Sequence, residues 1–124
     1  MGNTVLLIDD DADVMDVVQD ALEPAGYRVA ACVNGLNAMK SILAYQPALI
    51  ILDVMLPGVD GYTLAITITE DAATSDLPII VLSGFAPSEA MFRKFPQVKA
   101  FINKPFNPAD LVEAARQALI KKNK

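Results

Sequence analysis

Residues 48–54 read ALIILDV, an apolar run broken only by Asp53. Pro47 precedes it and the turn-rich LPGVDGY (56–62) follows it. That combination is the pattern of a central β-strand covered on both faces. Working outward, TVLLI (4–8) is β-rich and stops at a cluster of acids. Val14, Val17, Val18, Ala21 and Leu22 then recur at three- and four-residue spacing, predicting a helix from Ala12 to Glu23 with Asp11 as N-cap and Gly26 as terminator. RVAACV (28–33) reads as a second strand and Asn34-Gly35 as a turn. Leu36, Met39, Ile42 and Leu43 form a second helical stripe ending before Pro47.

On the other side of the central run, a third helix is expected from about Asp60 to about Ala72, although Thr63, Ile66, Thr67, Ile68 and Thr69 are poor helix formers. PIIVLS (78–83) is a fourth strand, 86–96 a short helix limited by Pro96, and KAFIN (99–103) a fifth strand. Asn107-Pro108 pairs a capping residue with proline at the first helical position, opening a last helix to about Ile120. Strands alternating five times with helices imply an α/β architecture, a parallel sheet wound with helices on both faces.

Length and composition bound what this architecture can do. The chain has 124 residues, 53% hydrophobic and 20% charged. That is enough for one core, so residues 1–124 are expected to form one domain, without repeat, low-complexity segment or linker. There is no histidine, which removes the commonest metal ligand and the usual general base. Any chemistry falls to carboxylates, lysines or hydroxyls. The one cysteine, Cys32, excludes an intramolecular disulfide and a cysteine-rich zinc site, and reads as a small buried apolar residue. No secretory leader is visible, and no apolar run approaches the roughly 20 residues of a membrane helix. A cytoplasmic protein, or a domain cut from one, is expected.

The charge is unevenly spread. Residues 1–80 carry twelve acids against two bases, whereas residues 81–124 carry eight bases against three acids. Five acids fall between Asp9 and Asp16. In a parallel sheet, ligands sit beyond the carboxyl ends of the strands. Asp9 and Asp10 follow the first strand, Asp53 ends the third, Ser83 the fourth, and Lys104 follows the fifth. Three carboxylates in one crevice call for a hard cation, and oxygen-only ligands suit Mg²⁺. Asp53 could attack phosphorus as a nucleophile, with Lys104 neutralising phosphoryl charge and Ser83 bonding one phosphoryl oxygen. Asp11 and Asp13 read as helix-start acids, Gly58 and Gly61 as turn residues, and Met15, Met39 and Met91 as packing.

Taken in order, LLIDDD, IILDVMLPGVDGY, VLSG and INKPF resemble the landmarks of the receiver domain of two-component response regulators, over essentially the whole chain. The resemblance implies a flavodoxin-like (βα)5 fold with strand order 2-1-3-4-5. It implies a phosphorylation-dependent signalling switch, not a substrate-turning enzyme, with Asp53 accepting phosphate from a histidine kinase or histidine phosphotransfer protein. Asp10 would bind Mg²⁺ directly, Asp9 mainly through water, and Met55 through its backbone carbonyl. Ser83 would be the switch hydroxyl, Phe101 the aromatic switch residue, and Lys104 the phosphate partner, with a cis bond to Pro105. The output would be a protein contact without direct nucleic-acid or membrane binding, by a monomer or a phosphorylation-dependent dimer.

Several positions depart from the family pattern. Phe101 lacks a tyrosine hydroxyl, so any switch there works through packing. Ser83 replaces the frequent threonine. The segment from Ser83 to Lys104 is about one residue short, and Pro96-Gln97-Val98 replaces the usual Ala-Gly before the fifth strand. Met55 and Phe85 flank the line of water attack, and two bulky apolar side chains there imply slow loss of phosphate. Rival readings are a small Asp-dependent phosphatase, a flavin-binding module, and a receiver used constitutively for docking. The first expects an Asp-x-Asp pattern where the chain has Asp53-Val54-Met55. The second needs a phosphate loop where the chain has IDDD. The complete acid set with Lys104 speaks against the third.

Overall fold

Five parallel strands form one sheet in the order 2-1-3-4-5: β1 (Thr4–Ile8), β2 (Arg28–Cys32), β3 (Leu49–Asp53), β4 (Ile79–Ser83) and β5 (Val98–Asn103). The computed structural model describes residues 4–55, 61–84 and 89–120. Between the strands run α1 (Ala12–Leu22), α2 (Ala38–Tyr45), α3 (Gly61–Glu70) and α4 (Glu89–Phe92), and α5 (Pro108–Ile120) closes the fold. Every residue of β3 and β4 is buried, which is why both strands are apolar up to their last residues, Asp53 and Ser83.

The two faces of the sheet bury alternate residues. Leu6, Ile8, Ile50, Leu52, Ile79 and Val81 pack with side chains of α2, α3 and α4. Val5, Leu7, Leu49, Ile51, Ile80 and Leu82 pack with α1 and α5. Each fully buried leucine or isoleucine contributes roughly 2 kcal/mol of hydrophobic stabilisation. The two layers bury β1, β3 and β4 on both faces up to the carboxyl edge of the sheet.

Local signals are used as their chemistry suggests. Asp11 caps α1, its Oδ1 accepting from the Asp13 amide at 2.8 Å. Gly26 ends a 3₁₀ turn (Glu23–Ala25) with φ of 103°, in the left-handed region. Cys32 is buried, and its thiol donates to the Asn34 carbonyl at 3.1 Å. Asn107 receives the Ala109 amide at 2.9 Å, opening α5.

Some expectations shift. β2 stops at Cys32, leaving Val33 exposed, and Asn34-Gly35 opens a 3₁₀ turn (Gly35–Asn37). Leu36 and Leu43 are exposed, so the buried side of α2 narrows to Ala38 and Ile42. The expected helix over 86–96 is, among the described residues, only Glu89–Phe92. After it, Phe95 and Pro96 belong to a hydrogen-bonded turn in which Val98 N donates to Phe95 O. Among the described residues no helix is long and apolar enough to cross a membrane.

Candidate functional site

The register of the sheet builds the site. Ile8 of β1 pairs with Leu52 of β3, so the next residues, Asp9 and Asp53, emerge together at the carboxyl edge. This is where the strand order reverses around β1, the usual place for a ligand in an open parallel sheet. Asp9 and Asp53 are buried and Asp10 is exposed. One carboxylate oxygen from each of the three lies within 4.8 Å of the others. Asp9 Oδ1 also accepts from the Asp11 amide at 3.0 Å, which fixes the turn into α1.

Lys104 reaches the same point from beyond β4. Its backbone amide donates to the Ser83 carbonyl at 2.7 Å, continuing the β4–β5 ladder one residue past Asn103. Its Nζ then lies 3.1 Å from both Asp9 Oδ2 and Asp53 Oδ1. The peptide to Pro105 is cis. Ser83 is completely buried at the end of β4. Met55 carries an exposed side chain immediately after the strand. Phe101 is half-buried on the α4 face, its ring 6.3 Å from that of Phe92. Phe85 lies outside the described residues, as does Gly58.

The electrostatics are those of an excess of negative charge. Burial pushes the Asp53 carboxyl above its ordinary range, and the Asp9 charge pushes the same way; Lys104 and a Met55 backbone hydrogen bond offset only part of this. Burial alone would lower the Lys104 ammonium, but Asp53 and Asp9 together hold it above its usual value. Among the described residues, three carboxylates thus cluster where one ammonium, that of Lys104, pairs with two of them. The donor set is oxygen only and incompletely neutralised, which fits a hard divalent cation.

Gly61 is more than the turn residue its sequence suggested. It is the buried first residue of α3, and its amide donates to the Val54 carbonyl at 2.7 Å. A Cβ there would lie 2.7 Å from both the Asp53 carbonyl oxygen and Val54 Cα. Only glycine lets the helix start press against the backbone that carries Asp53. A glycine where a capped helix should begin was the available signal. Asp11 and Asp13 stay as helix-start acids at the rim.

Comparison with known proteins points the same way. Residues 5–116 match the family model of the response regulator receiver domain. The chain is 36% identical over 121 residues to the phosphate regulon transcriptional regulatory protein PhoB of Pseudomonas aeruginosa, covering 96% of this chain and 52% of that protein. It is 34% identical over 116 residues to the DNA-binding dual master transcriptional regulator RpaA of Synechocystis, covering 93% of this chain and 48% of that protein. The chain therefore spans about half the length of these curated relatives. Among solved structures, a putative response regulator from Chloroflexus aurantiacus superposes with a TM-score of 0.89 at 32% identity, covering 97% of this chain and 99% of that one.

Proposed function

The chain belongs to the receiver domains of two-component response regulators, which are phosphorylation-dependent signalling switches, and from that premise we propose that Asp53 is its phosphoacceptor. The observation that carries this reading is the meeting of Asp53 with Asp9, Asp10 and Lys104 at one strand edge. An Asp53 carboxylate oxygen attacks the phosphorus of a phosphohistidine on a kinase or phosphotransfer protein. An O–P bond forms, the P–N bond breaks, and the imidazole leaves.

Asp9, Asp10, Asp53 and the Met55 carbonyl would hold Mg²⁺, which supplies positive charge to the phosphoryl oxygens when bound. Lys104 sits within hydrogen-bond reach of Asp53 and places its ammonium on the same group. Ser83, buried beside it at the end of β4, offers a hydroxyl to one phosphoryl oxygen. Drawing Ser83 and Lys104 toward phosphate then shifts Phe101 and the α4–β5–α5 surface. A modification shifts such an equilibrium only through different contacts in the two states.

The output in this reading is a protein contact made in the cytoplasm, by a monomer or a phosphorylation-dependent dimer. It is regulatory, not substrate turnover, because the second position after Asp53 holds the apolar Met55, where a phosphatase would place its acid. The longer relatives are named as transcriptional regulators; these 124 residues supply the switch in our reading. With acetyl phosphate and Mg²⁺, intact mass is expected to rise by one phosphoryl group. Asp53→Asn or removal of Mg²⁺ should abolish the gain; phosphorylation of Asp53→Asn at the unaltered rate would overturn the assignment.

A further inference from the structure

The strand that carries Phe101 and leads into Lys104 is held at both ends, with one residue to spare between them. Just before β5, Gln97 is nine-tenths buried. Its side-chain amide donates to the Thr74 and Leu77 carbonyls at 3.2 and 2.6 Å, and its own carbonyl accepts from the Ile79 amide at 2.8 Å. Thr74 is buried too, its hydroxyl donating to the Ile68 carbonyl at 2.7 Å. Gln97 thus ties the turn after α4 to the end of α3 and to the entry of β4. Buried amide bonds of this kind are costly to break, because each carbonyl would be left unsatisfied.

The carboxyl half of β5 is held differently. Ala100, Phe101, Ile102 and Asn103 pair in sequence with Ile80, Val81, Leu82 and Ser83. Phe101 faces the α4 layer, whereas Ala100 and Ile102 face α1 and α5. A slip by one residue would exchange those faces. Between the halves, Val98 pairs with Ile79 but Ala100 pairs with Ile80. Lys99 is the extra residue, exposed, its Nζ reaching back to the Pro96 carbonyl at 3.0 Å. A cavity of about 250 Å³ opens at the same place, lined by Phe92, Val98, Lys99 and the half-buried Phe101 among others.

A regular ladder passes a displacement along the strand, because each step is bonded to the next. A bulged residue can absorb it by changing its own φ and ψ. We propose that Lys99 is a slack residue that lets the Ala100–Asn103 half of β5, and Lys104 after it, shift, with Phe101 moving into the adjoining cavity, while Gln97 keeps the amino end of the strand fixed. This rests on reading Phe101 and Lys104 as moving parts of the switch.

The test compares the unaltered chain with a Lys99 deletion and with Gln97→Ala. Hydrogen exchange is read in the free protein, and Phe101 ring resonances are read with and without Mg²⁺ and beryllofluoride. The deletion removes the spare residue without changing any pairing, so the chain should fold, and exchange at residues 100–103 should slow about tenfold. Its beryllofluoride response at Phe101 should shrink. Gln97→Ala should speed exchange at residues 95–99 about tenfold and leave residues 100–103 unchanged. A deletion variant that unfolds, or that leaves exchange at 100–103 unaltered, overturns the proposal. So does a Gln97→Ala variant that speeds both halves equally. Absence of any Mg²⁺-dependent beryllofluoride response in the unaltered chain would sink the phosphorylation reading instead, and the exchange data would still decide whether Lys99 is slack.

Discussion

In the proposed switch, Met55 and Phe85 would set how long a phosphoryl group survives, and Gly61 would set whether the cation site keeps its shape. Met55 presents an exposed apolar side chain immediately after β3, and neither it nor Phe85 can orient an attacking water. Met55→Asn and Phe85→Glu should each shorten the phosphoryl half-life several-fold, about 1 kcal/mol in barrier; half-lives equal to the unaltered chain would remove the idea. Gly61 acts on the other side of the same backbone. Gly61→Ala drives a Cβ into the Asp53 carbonyl and Val54, so the chain beneath the carboxylate must move. It is expected to cost about 1–3 kcal/mol of stability and to weaken Mg²⁺ binding about tenfold, read by denaturant melts and cation titration. Asp9, Asp53, Ser83 and Lys104 were legible because each ends or follows an apolar run. The role of Gly61 was signalled only by a glycine at a helix start, because close approach of two backbones leaves no mark in composition.

Among the elements, α3 is held by burial more than by propensity. Leu64, Ala65 and Ile68 are buried, yet Thr63, Thr67 and Thr69 are β-branched residues in a ten-residue helix. The Thr67 and Thr69 hydroxyls bond back to the carbonyls of Thr63 and Ile66. Such back-bonding competes mildly with the helix. Thr67→Ala, at an exposed position, should therefore stabilise the protein by ~0.5 kcal/mol, seen as a higher urea midpoint with an unchanged slope. Long apolar strands were readable to within a residue because buried parallel strands have few alternatives. The stretch after β4 was not. Phe92 and Phe95 recur at helical spacing, but α4 ends at Phe92 and the chain turns, tied by Gln97 to Thr74 and Leu77. Those bonds span 23 and 20 positions, so no local pattern announces them.

For the whole molecule, the acidic edge is a cost that a divalent cation would offset. The Asp53 carboxyl is raised above its ordinary value of 3.8, first by burial and then by Asp9. The folded state therefore holds this proton more tightly than the unfolded state. Without divalent cation, this group's contribution makes stability rise as pH falls from neutral toward the ordinary carboxylate range, and makes it fall again as pH climbs through the raised value. Asp53→Asn should raise the cation-free melting temperature near pH 7 by about 3 °C and flatten that pH dependence. Adding Mg²⁺ at ten times its dissociation constant should stabilise the unaltered chain by about 1.4 kcal/mol, an effect that EDTA or Asp10→Ala removes. Alternation of apolar runs with amphipathic segments was enough to determine a parallel α/β sheet, and the polar strand ends were enough to nominate its working edge. Both are local patterns that burial on two faces imposes on the sequence itself. Strand order entered through resemblance; the sheet's pairing realises it, bringing Asp53 beside Asp9 and Lys104 across β4 to both. The spare residue at Lys99 was a matter for the fold alone. It exists only because two separately anchored halves of one strand meet a neighbour that is one residue shorter.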